Sequence, residues 1–436
     1  MNICMFTNTY LPHVGGVARS VAIFAEDLRD MGHNVLVVAP TYPDSDEAPQ
    51  ENQEYEEKGV LRLPAIQNFN GSDFSVRIPI PFYIAERIEE FQPDIIHSHH
   101  PYLLGDSALR AARKHSLPLV FTHHTRYEEY THYVTRDSEA MKRFASVLST
   151  QYANLCSRVV APSGSIRNLI RARGVRTQVS VIPTGVDTAF FRSGDGTSFR
   201  RKNGIPEDVP VIGHLGRLAP EKNLAYLAES IVRVVRENRQ ARFLVAGEGP
   251  SKKEIVNIFR REGVENNLVM AGKLTGKTLA DAYAGMDLFV FSSKSETQGM
   301  VLAEAMAAGI PVVALDASGV REVVADRENG RLLEHDAEQN RFAWETLKIL
   351  SDEQCLDHFR TNAFKTGKVF DRKECAKLLY DLYETTIEEK PPGIKRSHLE
   401  PWEAILMAIQ TEWDLFAEKA KAMARVVWKN GKGKSS

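Results

Sequence analysis

Apolar and polar positions alternate along the chain with two different periods. Short runs rich in Val and Ile have the length of buried strands, for example "NICMFT", "NVLVVAP" and "DIIHSH". Between them lie stretches such as "VARSVAIFAEDLRDMG", in which apolar residues recur at the spacing of one helix face. This succession predicts parallel sheets with helices packed on both faces.

The same succession occurs twice, which predicts two domains. The first covers residues 1–190, and a stretch crowded with Gly, Pro and charge predicts a junction at 191–209. The second covers residues 210–388. Doubly wound sheets bind ligands beyond the carboxyl ends of their strands, so two in tandem would face a cleft. Residues 389–436 differ in composition and are predicted to form a helical, basic tail.

Composition excludes several classes of protein. The 436 residues include 55 Lys and Arg against 57 Asp and Glu, so no overall charge attracts nucleic acid. The four cysteines contain no CxxC pair, which argues against a disulfide framework and against a zinc ribbon. No apolar run approaches the roughly 20 residues that span a bilayer, and the first residues do not resemble a signal peptide. We expect a cytoplasmic protein, soluble or peripheral on the inner face of the cell membrane.

Two glycines follow the first predicted strand. Gly15 and Gly16 precede a helix, where a ligand can approach the backbone and free N–H groups can bind an anion. The GxGxxG pattern is absent, and "VLVVAPTYP" ends the second strand without an acidic residue, which argues against a nicotinamide enzyme. A plain tight turn is the alternative interpretation.

Two cations follow the first strand of the second domain. Arg217 and Lys222 lie in "GHLGRLAPEKN", and such a pair at a switch point of the sheet suits a diphosphate. The alternative is a pair of ordinary surface charges.

Histidines cluster near the predicted ends of two strands of the first domain. No HExxH spacing or zinc-type carboxylate accompanies them, so we predict no metal site and expect hydrogen bonds to substrate or to one another. The clustered residues are His97, His99, His100, His123, His124 and His132.

A DxD pair, Asp44 and Asp46, is a second candidate for a metal site. It lies in a charged stretch and is interpreted as part of a solvated loop.

Two glutamates stand eight positions apart in "SETQGMVLAEAMAAGIPVVAL". Glu296 lies in a polar turn, and Glu304 lies in a predicted helix that ends near Gly309. Taken alone, Glu304 fits an exposed helix position.

These residues together resemble the family 4 retaining glycosyltransferases. Glu296 and Glu304 match the E-x7-E motif of that family, and "IPTGVD", "GRLAPEKN", "VAGEGP" and "MAAGIPVVA" occur in its order. The similarity extends from Asn2 to about Glu389. It implies the GT-B fold, with two Rossmann-like doubly wound domains facing an interdomain cleft and a nucleotide sugar held mainly by the second domain. It also implies catalysis without a metal or other cofactor.

The resemblance implies a role for each matching residue. Glu304 would bind the ribose, Glu296 would lie against the donor sugar, and Arg217 with Lys222 would hold the diphosphate. The backbone N–H groups of Gly299, Met300 and Val301 would also bind the diphosphate. Gly16 would approach the donor, and His124 would contact the sugar near its hydroxymethyl group.

The acceptor is implied by a narrower similarity. "HSHHPYLLGDSAL", "THHTRYEEYTHYV" and "SETQG" are most similar to the bacterial diacylglycerol glucosyltransferase branch. This implies transfer of a hexose from a nucleoside-diphosphate sugar, with UDP-glucose as the expected donor, to a membrane lipid such as diacylglycerol. We expect same-face attack, and double displacement stays open. The alternatives are a soluble sugar or polysaccharide acceptor, or a non-catalytic nucleotide-sugar-binding protein.

The tail has its own pattern. From Leu415 to Ser436 it carries six basic residues against Glu418 alone, and apolar residues recur at spacings of three and four. One interpretation is that this apolar stripe packs on the protein or on a partner subunit. The other is that the helix lies on an anionic membrane surface, with Trp428 at the interface.

Overall fold

The chain folds into two compact units. The computed structural model describes residues 1–13, 15–41, 56–57, 59–63, 65–66, 76–77, 81–129, 139–294, 296–389, 411, 414, 415 and 419. Unit 1 comprises Met1–Ile182 and Ala376–Ser436, and unit 2 comprises Pro183–Cys375. The predicted loop with Asp44 and Asp46, His132 and most of the predicted tail lie outside the described residues.

Unit 1 is built on a sheet of eight strands in the order β10-β9-β8-β7-β1-β2-β4-β3. All neighbours are parallel except β3 and β4, and β5 with β6 forms a separate antiparallel pair. The strands are β1 (Asn2–Phe6), β2 (Asn34–Pro40), β3 (Glu56–Glu57), β4 (Val60–Leu63), β5 (Ala65–Ile66), β6 (Val76–Arg77), β7 (Ile95–Ser98), β8 (Leu119–Thr122), β9 (Arg158–Ala161) and β10 (Val179–Val181). Its helices are α1 (Gly16–Asp30), α2 (Pro81–Phe91), α3 (Leu104–Lys114), α4 (Glu139–Leu155) and α5 (Gly164–Ala172).

Unit 2 has six parallel strands in the order β13-β12-β11-β14-β15-β16. This order is that of a Rossmann sheet. The chain adds strands on one side of β11 and then on the other, so the strand order reverses between β11 and β14, and we call this place the reversal point of the sheet. The strands are β11 (Val211–Leu215), β12 (Arg242–Ala246), β13 (Leu268–Gly272), β14 (Leu288–Phe291), β15 (Val312–Leu315) and β16 (Gly330–Leu333). The helices that begin in unit 2 are α6 (Thr188–Arg192), α7 (Gly196–Lys202), α8 (Leu224–Glu237), α9 (Lys252–Arg261), α10 (Lys277–Ala284), α11 (Met300–Ala307), α12 (Gln339–Leu350), α13 (Glu353–Val369) and α14 (Arg372–Glu388).

Side chains on both faces of the second sheet are buried. Along β11, Val211 and Leu215 pack into one apolar core, whereas Ile212 packs into the other. Continuous apolar strands of this kind require helices on both faces. The two doubly wound parallel sheets therefore confirm the predicted α/β fold class.

The units differ from the predicted domain boundaries at two places. Residues Phe191 and Phe199, in the stretch interpreted as a junction, are buried in the core of unit 2. Farther along, α14 begins in unit 2, but Leu379 and Tyr383 are fully buried in unit 1. Both differences arise from contacts with residues remote in sequence, which a local pattern of Gly, Pro and charge does not contain.

Three described residues of the tail contact the rest of unit 1. Leu415 is 5% exposed and belongs to the apolar core that includes residues of α3. Arg113 donates to Asp414 at 2.7 Å, and Lys419 donates to Asp106 at 2.6 Å. These three residues therefore pack on the protein. The apolar stripe of the predicted tail lies outside the described residues, so both interpretations of the stripe stay predictions. Among the described residues, no helix is long and apolar enough to cross a membrane.

Removing the Leu415 side chain should destabilise unit 1. We expect Leu415→Ala to lower the free energy of unfolding by about 2–5 kcal/mol, because a buried leucine leaves a cavity. Leu378→Ala is the matched control, since Leu378 is 50% exposed and should cost less than about 1 kcal/mol. Urea unfolding, with hydrogen exchange in β7 and β8 as the signal for unit 1, measures the free energy of unfolding of both variants. Equal stability of the two variants would contradict the docking of the tail.

Candidate active site

Two loops leave unit 2 at the reversal point of its sheet. Strands β11 and β14 are neighbours, with Ile212 opposite Leu288 and Gly213 opposite Phe289. One loop, 216–223, follows β11 and carries Arg217 and Lys222, and the other, 292–299, follows β14 and carries Glu296. In open α/β sheets this position is the usual place for a ligand.

Ser292 joins the two loops. Its hydroxyl lies 3.0 Å from the carbonyl oxygens of both Lys222 and Asn223, and the side-chain amide of Asn223 donates to the Ser292 carbonyl at 3.3 Å. Ser292 is fully buried. Hydrogen bonds shielded from water in this way hold the backbone of one loop at a fixed distance from the other.

The joined loops bring a predicted cation to a predicted carboxylate. Lys222 Nζ donates to Glu296 Oε1 at 2.5 Å, and their side chains are 19% and 14% exposed. Arg217 pairs instead with Glu221, four residues along the same loop, and its side chain is 49% exposed. Two cations and two carboxylates therefore lie together beyond the carboxyl end of β11: Lys222 with Glu296, and Arg217 with Glu221. Arg217 is the more exposed of the two cations.

Glu304 is buried rather than solvated. It lies in α11, is 1% exposed, and Oε2 is 2.8 Å from the hydroxyl of Tyr283. The same hydroxyl is 3.2 Å from the carbonyl of Val301. Burying a carboxylate is costly without hydrogen-bond donors, and the Tyr283 hydroxyl is one donor that offsets this cost for Glu304. The exposed helix position considered from the sequence is therefore wrong.

The start of α11 is fixed by Gln298. Its side chain accepts from the Thr184 N–H at 2.7 Å and donates to the Thr184 carbonyl at 2.6 Å. On the other side, a Cβ at Gly319 would lie 2.7 Å from the nitrogen of Gln298, so glycine permits close packing there. Gly299 then begins the helix with φ 75° and no side-chain cap. The first-turn N–H groups at Gly299, Met300 and Val301 are thus held without competition from a capping side chain.

In unit 1, the predicted glycine turn lies at the start of α1. Gly15 is the residue before the helix, and Gly16 is exposed. A Cβ added at Gly16 would meet no atom within 4 Å. Packing within the described residues therefore does not require glycine at this position, and the space beside it is open to a ligand.

Five of the clustered histidines of unit 1, His97, His99, His100, His123 and His124, are buried, and two of them are hydrogen-bonded to each other. His99 Nδ1 lies 2.8 Å from His124 Nε2, and the rings of His97 and His99 are 4.1 Å apart. His97 Nδ1 contacts the hydroxyl of Tyr383 at 2.5 Å, and its Nε2 contacts Thr122 Oγ1 at 2.7 Å. The expectation of hydrogen bonds between histidines is confirmed for this pair.

Burial keeps these rings neutral. It lowers the pKa of both His97 and His100 to about 3, and that of His123 to about 4. Burial also lowers the pKa of His99 and His124 well below the usual value, with neighbouring histidines adding to the effect. Within the described residues, no group of three or more His, Cys, Asp or Glu side chains is arranged to hold a metal ion.

Three contributors to these sites were not singled out from the sequence. Tyr283 bonds Glu304 across 21 positions, Ser292 bonds Lys222 across 70, and Tyr383 bonds His97 across 286. Only Ser292 had a local signal, since it is the first polar residue after the apolar strand "LFVF". The two tyrosines lie within ordinary amphipathic helices.

Comparisons with known proteins agree with this geometry. A model described as "Glycosyltransferase Family 4" matches residues 14–190, and one described as "Glycosyl transferases group 1" matches residues 195–366. A GDP-mannose-dependent alpha-mannosyltransferase of Mycolicibacterium smegmatis is 31% identical over 336 residues, covering 77% of this chain and 85% of that protein. The chain belongs to the group 1 glycosyltransferases. The resemblance found in the sequence is thereby confirmed.

Other relatives of this glycosyltransferase are named for different activities. The alpha-monoglucosyldiacylglycerol synthase of Streptococcus pneumoniae is 28% identical over 343 residues, covering 77% of this chain and 76% of that protein. Among solved structures, Anabaena HepE in complex with UDP has a TM-score of 0.70 at 20% identity, covering 88% of this chain and all of that chain. At that identity the likeness supports the GT-B fold alone. Family membership makes the enzyme a hexosyltransferase without fixing its sugar or acceptor.

The Gln298 contact predicts a stability effect in the glycosyltransferase. We expect Gln298→Met to lower the free energy of unfolding of unit 2 by about 1–3 kcal/mol, because both backbone groups of Thr184 lose a buried partner. Gln339→Met is the matched control, since Gln339 is only partly buried and bonds one surface glutamate, Glu229. Urea unfolding followed by hydrogen exchange in β11 and β14 measures both variants. A Gln298→Met protein as stable as the control would show that the two hydrogen bonds do not hold this loop.

Proposed function

We propose that the enzyme transfers a hexose, with retention, from a nucleoside-diphosphate sugar to the hydroxyl of a membrane lipid such as diacylglycerol. UDP-glucose is the donor we expect. The observation that carries the proposal is the Lys222–Glu296 pair at the reversal point of the second sheet. It combines a cation suited to a diphosphate with a carboxylate suited to sugar hydroxyls.

The pair suggests how donor binding and bond breaking are linked. Without ligand, Lys222 and Glu296 compensate each other's charge. A bound diphosphate offers Lys222 a second anionic partner, while Arg217 is exposed enough to reach the same phosphates. Negative charge on the diphosphate grows as the anomeric bond breaks, so both cations would stabilise the transition state more than the ground state. The N–H groups at Gly299, Met300 and Val301 would add to this effect.

The proposed reaction needs no metal or other cofactor. Two cations and a helix start supply the positive charge that a metal would otherwise provide. The acceptor hydroxyl would attack from the face that the diphosphate leaves, and a phosphate oxygen would take its proton. In unit 1, Gly16 and His124 remain predicted sugar-binding positions.

The lipid acceptor is supported by similarity. The Streptococcus pneumoniae relative named above is a diacylglycerol glycolipid synthase. An enzyme acting on such a lipid would work at a membrane surface, as a peripheral protein on the cytoplasmic side. The donor is less constrained, because the Mycolicibacterium smegmatis relative is GDP-mannose-dependent.

Transfer assays with two donors test the proposal. The protein is incubated with UDP-glucose or GDP-mannose, with or without diacylglycerol vesicles, and release of the nucleoside diphosphate is followed. We expect release from UDP-glucose that rises with the lipid, persists in EDTA, and yields an α-linked product by NMR. Loss of activity in EDTA that a divalent ion restores would contradict the metal-free reaction.

Matched lysine variants link the activity to the site. Lys222→Met should abolish most transfer, whereas Lys252→Met should not, since Lys252 begins α9 and pairs with Glu248 through a side chain that is 41% exposed. Equal activity of the two variants would refute the proposed site. Release of nucleoside diphosphate from neither donor, under any acceptor condition, would refute the proposed function.

Glu304 should bind the ribose, and Tyr283 offers the control. We expect Glu304→Gln to weaken UDP binding about 10- to 100-fold, because a charged hydrogen bond contributes about 1.5–3 kcal/mol. Tyr283→Phe removes only the hydroxyl that contacts the carboxylate and should change UDP affinity less than about threefold. Calorimetric titration of UDP measures both. Equal weakening of UDP binding in the two variants would mean that Glu304 acts only by holding the Tyr283 hydroxyl, and would contradict a direct contact of Glu304 with the ribose.

A further inference from the structure

His99 and His124 form a hydrogen-bonded pair at the edge of the first sheet. His99 follows β7, and His124 lies two residues beyond the end of β8. Their nitrogens Nδ1 and Nε2 are 2.8 Å apart, and the two ring planes are inclined by 28° with centroids 5.1 Å apart. His99 is 0% exposed and His124 is 9% exposed. Because Nε2 of His124 is used in this pair, Nδ1 is the ring nitrogen that His124 can offer to a ligand.

One ring of the pair donates and the other accepts. Burial lowers the pKa of both side chains well below the usual value, so both are neutral near pH 7. A neutral imidazole carries a proton on one nitrogen only. The direction of this single hydrogen bond therefore decides which nitrogen of His124 carries its proton.

The far nitrogen of His99 indicates the direction. Among the described residues, His99 Nε2 is buried without a hydrogen-bond partner. The His97 ring lies 4.1 Å away at an interplanar angle of 35°, so it faces the His99 ring rather than receiving an in-plane N–H. Because buried N–H groups without an acceptor are rarer than unfilled acceptors, the proton of His99 belongs on Nδ1. From there it points to His124 Nε2.

Neighbouring contacts hold the pair in place. His97 is fixed on one side by the Tyr383 hydroxyl at 2.5 Å and on the other by Thr122 Oγ1 at 2.7 Å. The Asn8 N–H donates to His100 Nδ1 at 3.0 Å, which requires His100 to carry its proton on Nε2. These partners limit rotation or flipping of the rings beside His99.

We propose that His99 is a positioning residue that keeps His124 in its Nδ1–H form, so that His124 donates a hydrogen bond to a sugar oxygen of the substrate. The inference rests on the proposed function, in which His124 contacts the transferred sugar. It adds the polarity of that contact: the enzyme offers a donor there, and the substrate must offer an acceptor.

The protonated nitrogen can be observed without substrate. The full-length protein is labelled with ¹⁵N in its 13 histidines, and long-range ¹H–¹⁵N spectra distinguish protonated from bare ring nitrogens. Spectra of His99→Asn and His124→Asn assign the two rings. We expect His124 to carry its proton on Nδ1 and His99 to carry its proton on Nδ1. A proton on Nε2 of His124 would overturn the proposal.

Two nearly isosteric variants test the effect on turnover. His99→Asn retains an N–H that can donate to His124, so it should keep the Nδ1–H form and stay within about threefold of the original kcat/KM. His99→Leu has a similar size but offers His124 no donor, so the bond that keeps the His124 proton on Nδ1 is lost and kcat/KM should fall well below that of His99→Asn. His33→Asn, at a ring that stacks on Tyr380 outside this pair, controls for loss of a histidine. Equal activity of the Asn and Leu variants, with both folded, would overturn the proposal.

Failure of the proposed function would appear as no release of nucleoside diphosphate from either donor, whichever nitrogen of His124 the spectra show to be protonated. If His124→Asn leaves transfer from UDP-glucose unchanged while the spectra still show Nδ1–H, the sugar contact is wrong and the proposal falls with it. If His124→Asn is impaired but the spectra show Nε2–H, the function stands and only the polarity is wrong.

Discussion

The buried hydroxyl of Ser292 holds together two loops that leave the second sheet on neighbouring strands. Its contacts to the carbonyls of Lys222 and Asn223 keep the loop after β11 beside the loop after β14. This junction helps hold Lys222 beside Glu296, although the two residues are 74 positions apart. Gln298 then fixes the end of the second loop, so that α11 begins at a defined place. The proposed donor site depends on this chain of short contacts.

Both candidate sugar-binding regions use buried polar groups, and in each the desolvation is offset by specific partners. In unit 2 the Glu304 carboxylate, 1% exposed, accepts a hydrogen bond from Tyr283. In unit 1 burial makes the histidines neutral, and they bond to one another, to Thr122 and to Tyr383. Groups held in this way before a ligand arrives need little reorganisation when charge develops, which is how preorganised sites stabilise transition states.

Local pattern was sufficient for the sheets and for the loops that carry the charged residues. Alternating apolar runs predicted both doubly wound sheets, and the position of Arg217 and Lys222 after a strand placed them at the reversal point. The contacts that complete the sites were not predictable in this way. Tyr383 reaches His97 over 286 positions and Asp414 reaches Arg113 over 301, and nothing in the local sequence around Tyr383 or Asp414 distinguishes these residues. Burial of Glu304 likewise depends on Tyr283, which the spacing of the E-x7-E motif does not reveal.

The central claim is that the reversal point of the second sheet binds the nucleoside diphosphate, and hydrogen exchange in the presence of UDP tests it most directly. The account predicts slower exchange in the segments 216–223 and 292–304, because both loops and the start of α11 would contact the ligand. Exchange in α7 (Gly196–Lys202) should not change, because its Arg200 bonds Val209 and Asp287 at the opposite, amino ends of β11 and β14. Slowed exchange confined to segments other than these two loops, at a UDP concentration that saturates binding, would contradict the account.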